Sequence, residues 1–155
     1  MKNRKSTYIK DESIQDMFLK SSGRLNRLRF FKRILAVGFF NIIAVIILAA
    51  IFEGDLKNPS SSFLIISMAI SIACLIPYYF LYVRRLQDLN MNNKLAIINT
   101  VANFICLFSS DDLDNASMIA AIAGLVAGVT ILYLLFADGT HGTNYYGPDP
   151  LGRDN

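Results

Sequence analysis

The sequence predicts an all-α integral membrane protein, a four-helix bundle with an N-terminal amphipathic interfacial helix and an irregular Gly/Pro-rich C-terminal tail. Three observations support this fold class. The chain of 155 residues is 54% hydrophobic with a mean hydropathy of +0.41, which is too apolar for an ordinary soluble domain. Its apolar residues fall into four runs that contain no Asp, Glu, Lys, Arg or His. Its basic residues are concentrated before the first run.

The N-terminal segment is predicted to be a basic arm over residues 1–22, followed by a membrane domain over 23–150 and a short end over 151–155. The first 33 residues carry ten Lys or Arg against three acids. The segment DESIQDMFLKSSGRLNRLRFF spaces its apolar side chains as an amphipathic helix with a break at Gly23. Such a helix lies at the lipid interface; the alternative is a solvated arm. A cleaved signal peptide is not expected, because the basic region is too long.

Four membrane spans are predicted at about residues 34–52, 63–83, 95–108 and 116–136. At 1.5 Å per residue, three of them cover a hydrocarbon core about 30 Å thick. The third is short, and either crosses with help from its polar ends or is re-entrant. Connections rich and poor in Lys and Arg alternate along the chain, which places both termini in the cytoplasm if all four runs cross.

Small and asparagine side chains within the runs predict contacts between helices. The fourth run repeats small residues at every fourth position, which is typical of a packing stripe within one chain or between copies. The stripe consists of Ala116, Ala120, Gly124 and Gly128. Amide groups need partners in hydrocarbon, so Asn41, Asn99 and Asn103 are predicted to fasten helices together or to line a polar path. The runs have no acidic or basic side chain, which disfavours a coupled transporter and intramembrane hydrolysis.

Polar residues gather in three stretches that the predicted topology places on the cytoplasmic side: SGRLNRLRFF, YVRRLQDLN and DGTHGTNYYGPDP. Glycine and proline in the last stretch make the chain turn back. Arginines of the other two stretches can then lock the tail through hydrogen bonds, or bind a lipid phosphate or another anion. The residues predicted for this lock or anion site are Arg24, Arg27, Arg84, Arg85, Asp88, Asn144 and Asp149.

The sequence predicts no cofactor and no metal site. Cys74 and Cys106 lie apart within apolar runs, and His141 has no second His or Cys near it in the sequence. His141 is therefore interpreted as a turn residue.

The three polar stretches resemble the domain of unknown function 805 family of small bacterial inner-membrane proteins. The residues that match its patterns are Gly23, Arg24, Arg27 and Phe30, then Arg84, Arg85, Leu86 and Asp88, then Gly139, Gly142, Asn144, Tyr146, Gly147, Pro148, Asp149 and Pro150. Gln87 stands where that family usually has histidine, and the chain has no tryptophan. The resemblance implies a bacterial inner-membrane location and this architecture, without an agreed activity.

These observations favour a non-enzymatic structural or interaction protein whose basic cytoplasmic face contacts anionic phospholipid or a membrane protein partner, rather than nucleic acid. One alternative is a subunit of a homo-oligomeric channel or exporter, with the three asparagines along its path. A second alternative is a lipid-headgroup enzyme that uses His141 and Asp149.

Overall fold

The structure is a computed structural model that describes residues 13–52, 59–108 and 115–153, except the side chains of residues 115 and 116. Over these residues the chain forms five helices and no strand, which confirms the all-α prediction. The helices are α1 (Ile14–Phe18), α2 (Arg27–Ile51), α3 (Ser61–Asp88), α4 (Lys94–Cys106) and α5 (Asn115–Phe136). The predicted basic arm falls largely on residues 1–12, which lie outside the described part.

Three helices are long and apolar enough to cross a membrane: α2, α3 and the Ser117–Phe136 part of α5. The most apolar stretch of 18 residues in each helix has a mean hydropathy of 2.9, 2.2 and 2.5, respectively, and most apolar side chains of these helices face outward instead of into the protein. A soluble protein would bury such faces, so these helices indicate a membrane protein. Helix α4 has 13 residues and rises only about 20 Å.

The helices extend beyond the apolar runs at the arginine-rich ends. Helix α2 begins at Arg27 because the side chain of Asn26 accepts a hydrogen bond from the backbone N–H of Arg29 at 2.9 Å, as an N-cap residue does. Helix α3 continues to Asp88, and its last eight residues, 81–88, are all buried. Hydropathy marks the part of a helix that suits hydrocarbon, whereas hydrogen bonds and packing decide where the helix ends.

The segment before α2 contains a shorter helix than the sequence predicted. Helix α1 has five residues, capped by the hydroxyl of Ser13, and the chain then turns through Gly23 at φ +92°. Leu25 is fully buried, while Leu28 on α2 is 60% exposed. The two leucines therefore do not share one helical face, because the turn at Gly23 and the cap at Asn26 separate them.

The core lies around the C-terminal half of α3, which contacts all four other helices. Leu25 and Phe30 come from the segment entering α2, and Leu134 comes from the end of α5. The ring of Phe30 packs on Tyr82 of α3 with centroids 6.0 Å apart. This packing brings the start of α2, the end of α3 and the end of α5 together.

Helices α4 and α5 pack through only part of the predicted small-residue stripe. Ala120 is buried, and its backbone carbonyl accepts a hydrogen bond from the thiol of Cys106 at 3.5 Å. A Cβ at Gly124 would lie 3.7 Å from the same sulfur. A Cβ at Gly128 would meet no atom within 4 Å. Each step of four residues rotates about 40° around a helix, so a row at every fourth position leaves the contact face. The side chain of Ala116 lies outside the described residues.

The buried residues of α5 are instead separated by three, seven and four positions. They are Ala120, Ala123, Thr130 and Leu134. This spacing stays on one side of a helix over several turns, so it is the face that packs.

The three asparagines of the apolar runs have different contacts. Asn41 on α2 donates to the hydroxyl of Ser71 on α3 at 3.3 Å, and its amide lies 3.7 Å from the sulfur of Cys74. Asn103 donates to the backbone carbonyl of Asn99 within α4 at 2.7 Å. The side chain of Asn99 is fully buried beside Tyr82 of α3, without a hydrogen bond of standard geometry to any of the described residues. Asn41 thus links α2 to α3, and Asn99 lies between α3 and α4.

Candidate functional site

Three charged side chains meet in the interior, where the last turn of α3 faces the segment before α2 and the chain after α5. Nε of Arg24 donates to Oδ1 of Asp88 at 3.0 Å, and Nη1 of Arg85 donates to Oδ2 of the same carboxylate. All three residues are at most 3% exposed. Asp149 lies 3.9 Å from Nη2 of Arg24, so two buried cations face two buried anions. We call Arg24, Arg85 and Asp88 the ionic centre.

Arg24 holds the tail by donating to its backbone carbonyls. Nη1 donates to the carbonyls of Gly142 at 2.5 Å and Gly147 at 3.3 Å, and Nη2 donates to the carbonyl of Thr140. Together with the bond to Asp88, four of the five N–H groups of the guanidinium have partners within the chain. Bonds from a charged donor are about twice as strong as neutral ones, so this contact fixes the tail firmly.

Arg85 satisfies carbonyls at the C-terminus of α5. Nε donates to the carbonyl of Leu134 at 2.8 Å and Nη2 to the carbonyl of Ala137 at 2.5 Å. A helix leaves its last four carbonyls without intrahelical donors, and its dipole favours a cation there. Nη1 also lies 3.4 Å from the carbonyl of Leu25. One side chain of α3 therefore joins the end of α5 to the segment before α2.

Asp88 also bonds to the tail through its own backbone. Its carbonyl accepts from the N–H of Thr140 at 2.9 Å and from the hydroxyl of Thr140 at 3.0 Å. Gly139 passes so close to the carboxylate that a Cβ there would lie 2.8 Å from Cγ of Asp88 and nearer still to Oδ2. Glycine is required at this position by close approach, because any side chain would displace the acid of the ionic centre.

The other two residues of the α3 end bind the segment 13–23. Arg84 donates to the carbonyls of Gly23 at 3.3 Å and Asp16 at 2.9 Å. Nε2 of Gln87 donates to the carbonyl of Ser21 at 2.9 Å, while its Oε1 is buried without a hydrogen-bond partner among the described residues. Gln87 therefore acts as a hydrogen-bond donor to the backbone.

The tail turns through two glycines and one asparagine. Gly142 has φ +68° and Gly147 has φ +130°, a region that residues with side chains rarely adopt. Nδ2 of Asn144 donates to the carbonyl of Gln87 at 2.9 Å and to the hydroxyl of Thr140 at 2.8 Å, and its Oδ1 accepts from the N–H of Tyr146 at 2.8 Å. The side chain of Asn144 thus uses both its donor and acceptor groups to seat the turn on α3.

Asp149 bonds to the residues that follow it in the tail. Its Oδ1 accepts from the N–H of Leu151 at 2.9 Å, and its Oδ2 accepts from Nε of Arg153 at 2.9 Å. Burial alone raises the pKa of Asp149, but the Leu151 N–H and the guanidinium groups of Arg153 and Arg24 together hold that pKa below its usual value. The carboxylate is therefore charged at neutral pH.

An exposed cluster surrounds Asp138 at the rim. Arg27, His141 and Arg153 approach its carboxylate at 3.5, 3.4 and 3.4 Å, and the Asp138 side chain is 54% exposed. The hydrogen bond with His141 and the charges of Arg27 and Arg153 hold the pKa of Asp138 below its usual value. Exposed pairs of this kind contribute little to stability. Within the described residues, no three His, Cys, Asp or Glu side chains lie close enough together to hold a metal ion.

The predicted site residues therefore divide into three groups. Arg24, Arg85, Asp88, Asn144 and Asp149 meet around the folded tail. Arg84 bonds to the segment before α2, and Arg27 lies on the exposed rim.

The sequence predictions for the site did not include Gly139, Thr140, Gln87 or Arg153, although all four contact residues of the predicted set. Gly139 could have been found from the glycine spacing of the tail. Thr140 and Arg153 carry no local pattern that distinguishes them from other tail residues.

Long apolar helices with a polar, arginine-rich cluster at one end define a membrane protein with a folded C-terminal segment. Residues 18–148 match the sequence model of the family described as Protein of unknown function (DUF805), and the chain belongs to this family. No curated protein and no solved structure matches the chain.

Proposed function

We propose that this chain is an integral protein of the bacterial inner membrane with four spanning helices, α4 included, and with both termini in the cytoplasm. Helix α4 contacts both α3 and α5, and Lys94 at its start can reach the interface from a short span. The alternation of Lys and Arg between connections supports the same sidedness. In this arrangement α1 lies at the cytoplasmic interface as an amphipathic helix, beside the Gly/Pro-rich tail.

Its proposed role is that of a non-enzymatic structural or interaction protein, with a basic cytoplasmic face that contacts anionic lipid or a protein partner. One observation carries this proposal: the buried arginines are bonded to the chain itself. Arg24 and Arg85 each make four hydrogen bonds, and every acceptor is a backbone carbonyl or the carboxylate of Asp88. Of the two interpretations of these arginines, a lock for the tail is therefore favoured over an anion-binding site.

The cations at the cytoplasmic surface are then the ones that meet a partner. The side chain of Arg27 is 52% exposed, and Lys32, five residues further along α2, is also exposed. Near an anionic leaflet each such cation contributes about 1 kcal/mol to membrane attraction. The contacts of His141 are with Asp138 and Arg153 on the open rim, which supports a turn residue over a catalytic base.

Sidedness tests this proposal directly. A cysteine is introduced as Asn155→Cys with Cys74→Ala and Cys106→Ala, and intact cells are treated with a membrane-impermeant maleimide. Protection until lysis is expected, because the tail then lies with the basic N-terminal segment. A matched cysteine in the acidic connection, Asp112→Cys, should label in intact cells. Labelling of the tail in intact cells would contradict a cytoplasmic C-terminus and make the α4 run re-entrant.

A second experiment tests the role of the basic face. Protein extracted with its surrounding bilayer in polymer discs should be enriched in anionic phospholipid, and the double variant Arg27→Gln, Lys32→Gln should reduce that enrichment. The matched variant Lys57→Gln removes a cation from the opposite side and should leave it unchanged. Equal enrichment in all three proteins would contradict a lipid-contacting cytoplasmic face.

A further inference from the structure

The core lies at one end of the helix pair α2–α3. Among the described residues, the cluster of buried apolar side chains includes none of α2 after Val37 and none of α3 before Cys74. The last eight residues of α3, 81–88, are all buried, whereas among residues 61–80 only Cys74 is buried. Residues 39–52 and 61–76 therefore extend beyond the core, and we call them the far arm.

Helix α4 is too short to support the far arm. It has 13 residues against the 28 of α3, so it rises only about 20 Å beside a helix of about 42 Å. A short connection, residues 89–93, joins the two helices as an antiparallel pair, and Asn99 of α4 lies beside Tyr82 of α3. Each step along α4 therefore meets an earlier position of α3, and Cys106 at the end of α4 is about level with residue 75. Helix α3 loses this neighbour close to Pro77.

Both helices of the pair have a residue at this level that favours bending. Pro77 lies inside α3 and has no backbone N–H, so the carbonyl of Ala73 lacks its intrahelical donor and the helix is prone to kink. Gly38 lies inside α2, where glycine is about 1 kcal/mol less favourable than alanine. A Cβ at Gly38 would lie 3.3 Å from the hydroxyl oxygen of Tyr78, which follows Pro77 in α3. The two bending points therefore lie close together.

The far arm is held together by its own contacts. Nδ2 of Asn41 donates to the hydroxyl of Ser71 at 3.3 Å near the bending points, and at the other end the rings of Phe52 and Phe63 pack with centroids 6.4 Å apart. The hydrogen bonds of Arg85 to the end of α5 come instead from the core end of α3. The arm can therefore tilt as one body without breaking these bonds to α5.

We propose that the α2–α3 pair bends at Gly38 and Pro77, and that the far arm tilts as one rigid body while the core stays fixed. An apolar groove of about 850 Å³ between α1, α2 and α3 crosses this hinge. Val37 and Pro77 line the groove at the hinge, whereas Phe40 and Ala73 line it on the arm. Bending therefore changes the width of the groove. The hinge goes beyond the proposed function, and it does not depend on the side of the membrane where the termini lie.

Distances between pairs of spin labels, measured by double electron–electron resonance in lipid nanodiscs, test the hinge. Both native cysteines are replaced by alanine. One label is placed on α5 at Leu132→Cys, and the other on α2 at either Leu35→Cys or Ile46→Cys. All three positions are exposed, and the two on α2 lie on opposite sides of Gly38. They are 11 residues apart, which puts them on nearly the same helical face.

The Leu35 pair should give a narrow distance distribution, and that of the Ile46 pair should be about twice as wide, because only the Ile46 pair includes the far arm. Pro77→Ala restores the missing N–H and should narrow the Ile46 distribution to about the width of the Leu35 one. Pro59→Ala is the control, since this proline precedes the N-cap Ser60 of α3 and should change neither width. An unchanged Leu35 distance in each variant shows that the core has folded.

A third pair tests whether the arm is one body. Labels at Ile46→Cys and Ile65→Cys both lie on the arm at exposed positions, so their distance distribution should be narrow.

Three results would overturn the proposal. Equal widths for the Leu35 and Ile46 pairs would show that the arm is fixed to the core. A wide distribution for Ile46 and Ile65 would show that α2 and α3 move separately. An Ile46 distribution that stays wide in Pro77→Ala would show that the motion does not arise at this proline.

Discussion

Gly139 is the position where the smallest change should most disturb the folded tail. In Gly139→Ala the added Cβ would lie 2.8 Å from Cγ of Asp88 and 3.1 Å from its Oδ1, inside normal contact distance. The side chain of Asp88 cannot move away without losing hydrogen bonds, because its two carboxylate oxygens accept from Arg24 and Arg85. Either the carboxylate leaves one arginine, or the tail backbone shifts away from Thr140 and its two bonds to Asp88.

The magnitude follows from these two routes. Overpacking by one methyl group costs about 1–3 kcal/mol, and a hydrogen bond to a charged group is worth roughly 1.5–3 kcal/mol. Gly139→Ala should therefore lower the free energy of unfolding by about 2–4 kcal/mol. Gly128→Ala is the control, because its Cβ would meet no atom within 4 Å. Alanine is the better helix former by about 1 kcal/mol, so this variant should be as stable as the parent or slightly more stable.

Thermal unfolding in detergent can be followed through Cys74, which is 6% exposed in the folded protein. In a Cys106→Ala background, a thiol-reactive dye should label it only on unfolding. For a chain of this size, 2–4 kcal/mol corresponds to a fall in Tm of at least about 5 °C for Gly139→Ala. If Gly139→Ala and Gly128→Ala melted together at the parent temperature, the close approach of the tail to Asp88 would be refuted.

Three further predictions test the groups that hold the tail. In Arg85→Lys a charge stays near Asp88, but the ammonium group cannot bond to the carbonyls of α5 as the planar guanidinium does. This variant should lower the free energy of unfolding by about 3 kcal/mol. Arg27→Gln, at an exposed position, should change it by less than about 1 kcal/mol in the same assay. The pKa of Asp149 is lower in the folded protein than in the unfolded chain, where it is about 3.9. Its carboxylate therefore stabilises the fold fully above about pH 3.9, and this contribution is lost as the pH falls through the pKa of the folded state. Between pH 7 and pH 2, the Tm should fall more steeply at the acid end for the parent than for Asp149→Asn. Asn144→Ala removes three hydrogen bonds and should lower the free energy of unfolding by about 2 kcal/mol. Tyr145→Ala, at an 89% exposed position, should leave it unchanged. Equal Tm values for these two variants would contradict the role of Asn144.

The long helices follow from hydropathy, but their ends do not. Each of the four apolar runs coincides with one of the helices α2 to α5. For the three long ones the reason is that hydrocarbon requires continuous internal hydrogen bonding. Helix α3 passes through Arg84 and Asp88, where the apolar run has already ended. Those polar residues are buried by the segment before α2 and by the tail, and a hydropathy profile has no information about such distant neighbours.

In the polar stretches, too, the sequence predicts local features but not the contacts between distant segments. The glycines and prolines of the tail predict that it turns, and the spacing of Arg85 and Asp88 predicts that they share a helical face. The spacing does not predict that Arg85 reaches the carbonyls of Leu134 and Ala137, about fifty residues away in the chain. Backbone acceptors carry no residue identity, so no sequence pattern marks them.

The sequence by itself determined the class of protein, the position of its apolar helices and the residue types at their polar ends, because these follow from local composition and period. Only the tertiary structure decided how the polar groups are used. Arg24 and Arg27 are three residues apart and have the same side chain, yet packing buries Arg24 against backbone carbonyls and leaves the side chain of Arg27 52% exposed at the rim. The environment that separates a buried, hydrogen-bonded arginine from an exposed one is set by contacts between distant segments.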